Sequence, residues 1–118
     1  MYAADTNPMN ANTLARYEAR AKIIKALAHP ARLMIVDELA SHKERCVCEL
    51  TEVVGTDMST VSRHLSQLKA AGIVEDDRRG KMTYFRLKVK CLTSFFGCVE
   101  SVLKSNAESH QQLVKIDT

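Results

Sequence analysis

Two helix signals separated by a three-residue connection constrain this chain more than any other feature. Glu49 to Val54 reads as a short helix stopped by Gly55, a residue that accepts the left-handed backbone just past a helix end. Asp57 then reads as an N-cap whose carboxylate can accept from the backbone N–H of Ser59 or Thr60. The helix it opens carries Val61, Leu65, Leu68 and Ala71 at i, i+4, i+7 and i+10 before Gly72 ends it. Ile73-Val74-Glu75 and Met82 to Leu87 follow with strand propensity, around Asp77-Arg78-Arg79-Gly80-Lys81 as a turn, so a hairpin with a basic tip is expected. A helix-turn-helix followed by such a hairpin is a winged helix-turn-helix, and its second helix has the dimensions to enter a major groove.

The flanks fit this frame. Leu14, Tyr17, Ala21, Ile24 and Ala28 form a narrow stripe on a helix ending near His29-Pro30, and a seam that narrow usually meets another helix. Pro30 suits a first helical turn, with His29 as the cap before it, and Leu33, Met34, Val36 and Leu39 carry a second helix to about Ala40. Ser41 to Arg45 reads as a polar break. A last helix presents Leu92, Phe95, Phe96, Val99, Val102 and Leu103 on one apolar face. The expected fold class is mainly α with a small β-hairpin. The expected organisation is a flexible N-terminal arm over residues 1–12, one winged helix-turn-helix domain over 13–104, and a polar, fraying tail over 105–118.

Composition narrows the function. A chain of 118 residues is the length of one domain, and no apolar run approaches the roughly 20 residues a membrane helix requires. With no basic stretch followed by an apolar core at the N-terminus, a cytoplasmic protein without membrane contact is expected. The net charge of +3 is unevenly spread: Met58 to Lys90 holds eight basic and three acidic residues, leaving the remainder slightly acidic. A basic segment on an acidic body suits phosphate neutralisation, so double-stranded DNA is the expected partner.

On the helix opened by Asp57, Ser59, Thr60, Ser62, Arg63, His64 and Gln67 are read as the side opposite the apolar stripe. Arg63 and Gln67, one turn apart, suit guanine and adenine edges, while the hydroxyls near the helix start suit phosphates. Arg78, Arg79 and Lys81 at the hairpin tip add backbone or minor-groove contacts.

The four cysteines, Cys46, Cys48, Cys91 and Cys98, would be reduced in the cytoplasm, where clustered thiols serve as ligands or redox centres. Cys46 and Cys48 stand at a helix start beside Arg45, an environment expected to favour thiolates, which soft ions select. Residues two apart in a helix point about 200° from each other, so both sulfurs face one ion only if this turn is extended or unwound. Strain there would pass through Leu50 and Val53 to the helix carrying Arg63. On a helix Cys91 and Cys98 would lie about 10 Å apart along the axis, so at most one joins a given site. Cys91, at the strand-to-helix junction, is freer than Cys98, which sits beside Phe95 and Val102 as a small apolar residue.

Leu27-Ala28-His29-Pro30-Ala31-Arg32-Leu33, Cys46-Val47-Cys48-Glu49-Leu50, Ser59 to Leu65 and Leu68 to Val74 resemble, in order and spacing, the signature stretches of the ArsR/SmtB family of metal-responsive transcriptional repressors, over roughly residues 14 to 104. The resemblance implies a homodimer joined by the first and last helices, and a repressor that leaves its operator when an inducer binds. Cys46-Val47-Cys48 is similar to the pair of the arsenite-responsive branch, which implies As(III) or Sb(III) as inducer. That branch carries a third cysteine three residues on, where this chain has Thr51, so Cys91, Cys98 or an external thiol must complete a three-sulfur site. A zinc site on the last helix, known in other branches, needs an Asp and His set for which only His110 is present. The same fold could instead serve a thiol redox or persulfide switch, or a Cd, Pb or Zn sensor with His42 as a fourth ligand. An enzyme is not expected, because Cys46-Val47-Cys48-Glu49 offers a carboxylate where a nucleophilic thiol would need an anion-cradling loop.

Overall fold

The computed structural model describes residues 10–117, with side chains to residue 109. The chain divides into two compact units, one ending at Lys88 and the other beginning at Val89. The first contains helices α1 (Ala11–Leu27) and α2 (Pro30–Ser41), strand β1 (Arg45–Cys46), helices α3 (Val47–Val54) and α4 (Met58–Ala70), and strands β2 (Val74–Arg79) and β3 (Met82–Leu87). The second consists of helix α5 (Leu92–Asp117) and its lead-in.

Each helix of the first unit begins where a side chain satisfies its unpaired N–H groups. Asn10 caps α1 through Thr13 N–H at 2.9 Å, and His29 caps α2, its Nδ1 accepting from Ala31 N–H at 3.0 Å. Asp57 caps α4 by accepting from Thr60 N–H at 2.8 Å, as the sequence reading expected. Gly55 ends α3 with φ of 78°, and Gly72 follows α4 with φ of 82°, both in the left-handed region. The core gathers Ile35, Val36 and Leu39 of α2, Leu50 of α3, Val61, Leu65 and Leu68 of α4, then Ile73 just before the sheet and Val74, Phe85 and Leu87 within it. Burial of a leucine of this kind contributes about 1.5–3 kcal/mol. Leu33 and Met34 are exposed on α2, because Ile35 and Val36 take the face turned to α3 and α4.

Several boundaries differ from the expected ones. Helix α1 starts at Ala11 rather than near Leu14, because Asn10, read as part of a loose arm, is its cap; residues 1–9 of that arm lie outside the described residues. The polar stretch after Leu103 belongs to α5, which runs to Asp117 with no Gly or Pro to interrupt it. The wing is a three-stranded antiparallel sheet in the order β1-β3-β2, not a lone hairpin. Arg45 and Cys46, read as a break and a helix start, pair with Phe85 and Tyr84. Strand β2 also runs on through the charged residues to Arg79, which pairs with Met82, so the turn shrinks to Gly80-Lys81. Gly80 has φ of 63°, and glycine in the first of two turn positions matches the right-handed twist of the strands.

Two apolar stripes stay uncovered. Leu14, Ile23 and Ile24 of α1 are exposed, as are Phe95, Val99, Val102 and Leu103 of α5. No helix among the described residues is long and apolar enough to cross a membrane.

Leu65, 1% exposed, and Ser66, exposed beside it, test this packing. Leu65→Ala is expected to cost about 2–5 kcal/mol in urea unfolding, and Ser66→Ala less than about 0.5 kcal/mol. Equal losses would show that α4 is not held by its apolar stripe.

Candidate nucleic-acid interface and thiol pair

The stripe that buries Val61, Leu65 and Leu68 turns the remainder of α4 outward. Ser59, Ser62, Arg63 and Gln67 are exposed and Thr60 is half-buried, so these five expected DNA-facing residues share one accessible side. The Asp57 carboxyl is held below the usual carboxylate range by its bonds with Thr60, which keeps the cap charged. His64 is a correction. It is 9% exposed and faces inward, because it stands three residues after Val61 and four before Leu68 and so joins the buried stripe. The i−3 and i+4 spacing to Val61 and Leu68 is the sequence signal for this burial.

The wing residues divide. Arg78 and Lys81 are exposed at the tip, with Arg78 Nε donating to Gly80 O at 3.1 Å. Arg79 is exposed but engaged: it holds the Glu44 carboxylate through both terminal nitrogens, pairs with Asp77 at 3.0 Å, and lies 4.7 Å over the Tyr84 ring. The Glu44 carboxyl is lowered in turn, chiefly by that hydrogen bond. Lys69 pairs with Asp76 at 2.9 Å and Arg86 with Glu75 at 3.1 Å. Much of the basic excess is therefore neutralised locally. Arg63, Arg78 and Lys81 make no ion pair among the described residues.

Cys46 and Cys48 occupy the start of α3 in different backbone settings. Cys46 is outside the helix, extended at φ of −80° and ψ of 164°, and acts as its N-cap. Its Sγ accepts from Glu49 N–H at 3.4 Å while Glu49 Oε1 accepts from Cys46 N–H at 2.9 Å, a reciprocal capping box. The expected thiolate is not what this geometry favours at Cys46. Burial pushes its pKa up, and the Cys48 thiol and the Glu49 carboxylate act the same way. Arg45, expected to stabilise a thiolate, turns instead to Glu38 at 3.0 Å and Glu49 at 2.8 Å. Cys48 is exposed.

Cys91 and Cys98 belong to the second unit and are exposed, Cys91 just before α5 and Cys98 within it. His42 lies against Glu38 of its own helix, 3.2 Å from a carboxylate oxygen. Among the described residues no three His, Cys, Asp or Glu side chains converge as a metal site.

A trihelical core, a helix with an exposed polar face and a basic wing define a winged helix-turn-helix DNA-binding protein. The chain belongs to the arsR family of bacterial regulatory proteins, whose sequence model matches residues 29–76. It is 34% identical over 95 residues to the arsenic resistance transcriptional regulator ArsR1 of Pseudomonas putida, across 80% of this chain and 71% of that one. It is 36% identical over 64 residues to the cadmium resistance regulatory protein CadC of Listeria innocua, 54% of each chain. Among solved structures it is similar to the homodimeric winged helix-turn-helix DNA-binding domain of Mb0332 from Mycobacterium bovis, with a TM-score of 0.72 and 32% identity over 86% of this chain and 93% of that one. This is a family of transcription regulators, not of enzymes.

The unequal burial of the two thiols has a chemical consequence. Iodoacetamide at pH 7.5 is expected to alkylate Cys48 at least about tenfold faster than Cys46, read by peptide mass spectrometry, because only a thiolate in reach of solvent attacks. Equal rates would contradict the buried, protonated cap.

Proposed function

We propose that the chain is a homodimeric cytoplasmic repressor that reads an operator with α4 and releases it when trivalent arsenic or antimony binds Cys46 and Cys48. The observation that carries this reading is the position of Cys46: its sulfur caps α3 while its backbone is paired to the wing strand β3. Ligation by Cys46 competes with the hydrogen bond from Glu49 N–H, so an inducer at this pair acts on the first helix of the helix-turn-helix and on the wing together. Ser59, Thr60, Ser62, Arg63 and Gln67, with Arg78 and Lys81, make the DNA contacts, and Arg79 supports the wing through Glu44 and Tyr84. The uncovered stripes of α1 and α5 bury against a second copy, a reading supported by the homodimeric relative.

The raised pKa of Cys46 favours a metalloid over a divalent cation. Arsenious acid exchanges each hydroxide for a sulfur and the thiol proton leaves in water, so no net proton is lost to solvent. A divalent cation must expel the proton from a thiol whose burial holds it in place. The third sulfur comes from a thiol outside the pair, Cys91, Cys98 or an external one. A redox or persulfide switch is the second reading, favoured by two free thiols two residues apart at the start of α3.

The test is fluorescence anisotropy of a labelled duplex selected by the protein from a random pool, titrated under reducing conditions with arsenite, antimonite, cadmium and zinc. Arsenite or antimonite is expected to release the wild type but neither Cys46→Ser nor Cys48→Ser, with loss of response in Cys91→Ser or Cys98→Ser naming the third donor. Release by cadmium or zinc alone, or only by an oxidant, overturns the metalloid reading. In the same assay without inducer, Arg63→Ala is expected to lower the preference for the selected duplex about tenfold, whereas Lys81→Ala weakens all duplexes alike.

A further inference from the structure

His64 is the one polar side chain buried in the core among the described residues, and it stands next to Arg63 on α4. Its Nδ1 accepts from Arg32 Nε at 3.1 Å. Arg32 in turn donates through Nη1 to Ala26 O, in the last turn of α1, at 3.2 Å. The His64 ring rests on His29, with centroids 4.4 Å apart and planes at 48°, and His29 caps α2 through its own Nδ1. Three side chains thus tie together the end of α1, the start of α2 and the middle of α4. Both imidazoles accept at Nδ1, so in the neutral state each carries its hydrogen on Nε2 and neither offers a free lone pair to a metal.

An apolar stripe holds a helix against a core but specifies its rotation only loosely, because apolar contact is not directional. A hydrogen bond from a planar guanidinium to one ring nitrogen is directional. We propose that His64 is a positioning residue for DNA recognition: bonded by Arg32 and packed against the tilted ring of His29, it fixes the rotation of α4 about its axis and with it the aim of Arg63 and Gln67. The inference rests on the reading of α4 as the DNA-facing helix.

Protonation makes the proposal testable. The groups acting on His64 are His29 and Arg32 from the start of α2 and Arg63 from its own helix, with no carboxylate among them. Burial, followed by these groups, lowers its pKa below the ordinary imidazole value. A proton on Nδ1 would turn the acceptor into a donor facing the Arg32 N–H, and the bond would break. The unfolded chain takes up that proton at higher pH than the folded one, so stability also falls as pH drops below the ordinary imidazole range. Charge alone predicts the reverse for DNA, since an added cation near Arg63 strengthens attraction to phosphate.

The experiment measures anisotropy of two duplexes, one selected by the wild type from a random pool at pH 8 and one scrambled, from pH 8 to 5.5 at constant ionic strength. Circular dichroism at each pH selects the range in which every variant stays folded. The wild-type ratio of selected to scrambled affinity is expected to fall on the order of tenfold with pH, the discrimination of one base contact. His64→Asn, whose Oδ1 takes the place of Nδ1 and does not titrate, is expected to hold its ratio within about twofold. His64→Leu and Arg32→Lys are expected to have a low ratio at every pH. A wild-type ratio that is flat or rises on acidification, or a His64→Asn ratio that falls in parallel with it, overturns the proposal. Arg63→Ala separates the two readings: an unchanged ratio in that variant removes α4 from the DNA, whatever His64 does.

Discussion

The packing of α4 against α2 and α3 is the constraint on which the remaining structure depends. Val61, Leu65 and Leu68 are wholly or almost wholly buried against Ile35, Val36, Leu39 and Leu50, and that burial decides which side of α4 is left to solvent. The cap at Asp57 and the glycine at 72 make the helix the right length, but they do not orient it. Orientation comes from two sources of unlike physics. The apolar stripe supplies most of the free energy without direction, and the Arg32–His64 hydrogen bond supplies direction at small net energy. A helix that must present side chains to base edges needs both.

A second junction forms where β1 passes into α3. Cys46 is at once the last residue of a strand paired to β3, the cap of a helix and a thiol beside another thiol. Arg45, one residue earlier, bridges Glu38 of α2 and Glu49 of α3. A change at this sulfur therefore has two mechanical outlets, the first turn of α3 and the wing through β3. An outlet through α3 into α4 runs by Leu50, which is fully buried, and not by Val53, which is exposed.

Charge on the wing is more local than its sum suggests. Glu44, Glu75, Asp76 and Asp77 take up Arg79, Arg86 and Lys69, pairs that are partly exposed and individually worth little. Their effect is geometric. Arg79, stacked on Tyr84 and gripped by Glu44, anchors the wing to the segment before β1, while Arg78 and Lys81 carry the charge at its tip.

The sequence by itself determined the order of the helices, the caps of α2 and α4 and five of the exposed α4 residues, because helix periodicity, Asp57, His29, Gly55 and Gly72 act within a few residues of where they stand. It also placed Cys46 and Cys48 together at a helix start. What only the tertiary structure decided depends on partners distant in the chain. Strand β1 is two residues long and exists only because β3, nearly forty residues later, offers a free edge. Arg79 is committed because Glu44, from before the helix-turn-helix, comes within reach. The spacing of His64 puts it on the buried stripe, but the partners that satisfy it there, Arg32 and His29, come from about thirty residues earlier in the chain. The Cys46 thiol is held protonated by the burial around it, which overrides the helix-start and arginine effects that local order suggests. Local signals are carried by backbone geometry and survive in the sequence, whereas burial and pairing over tens of residues arise only once the core has closed.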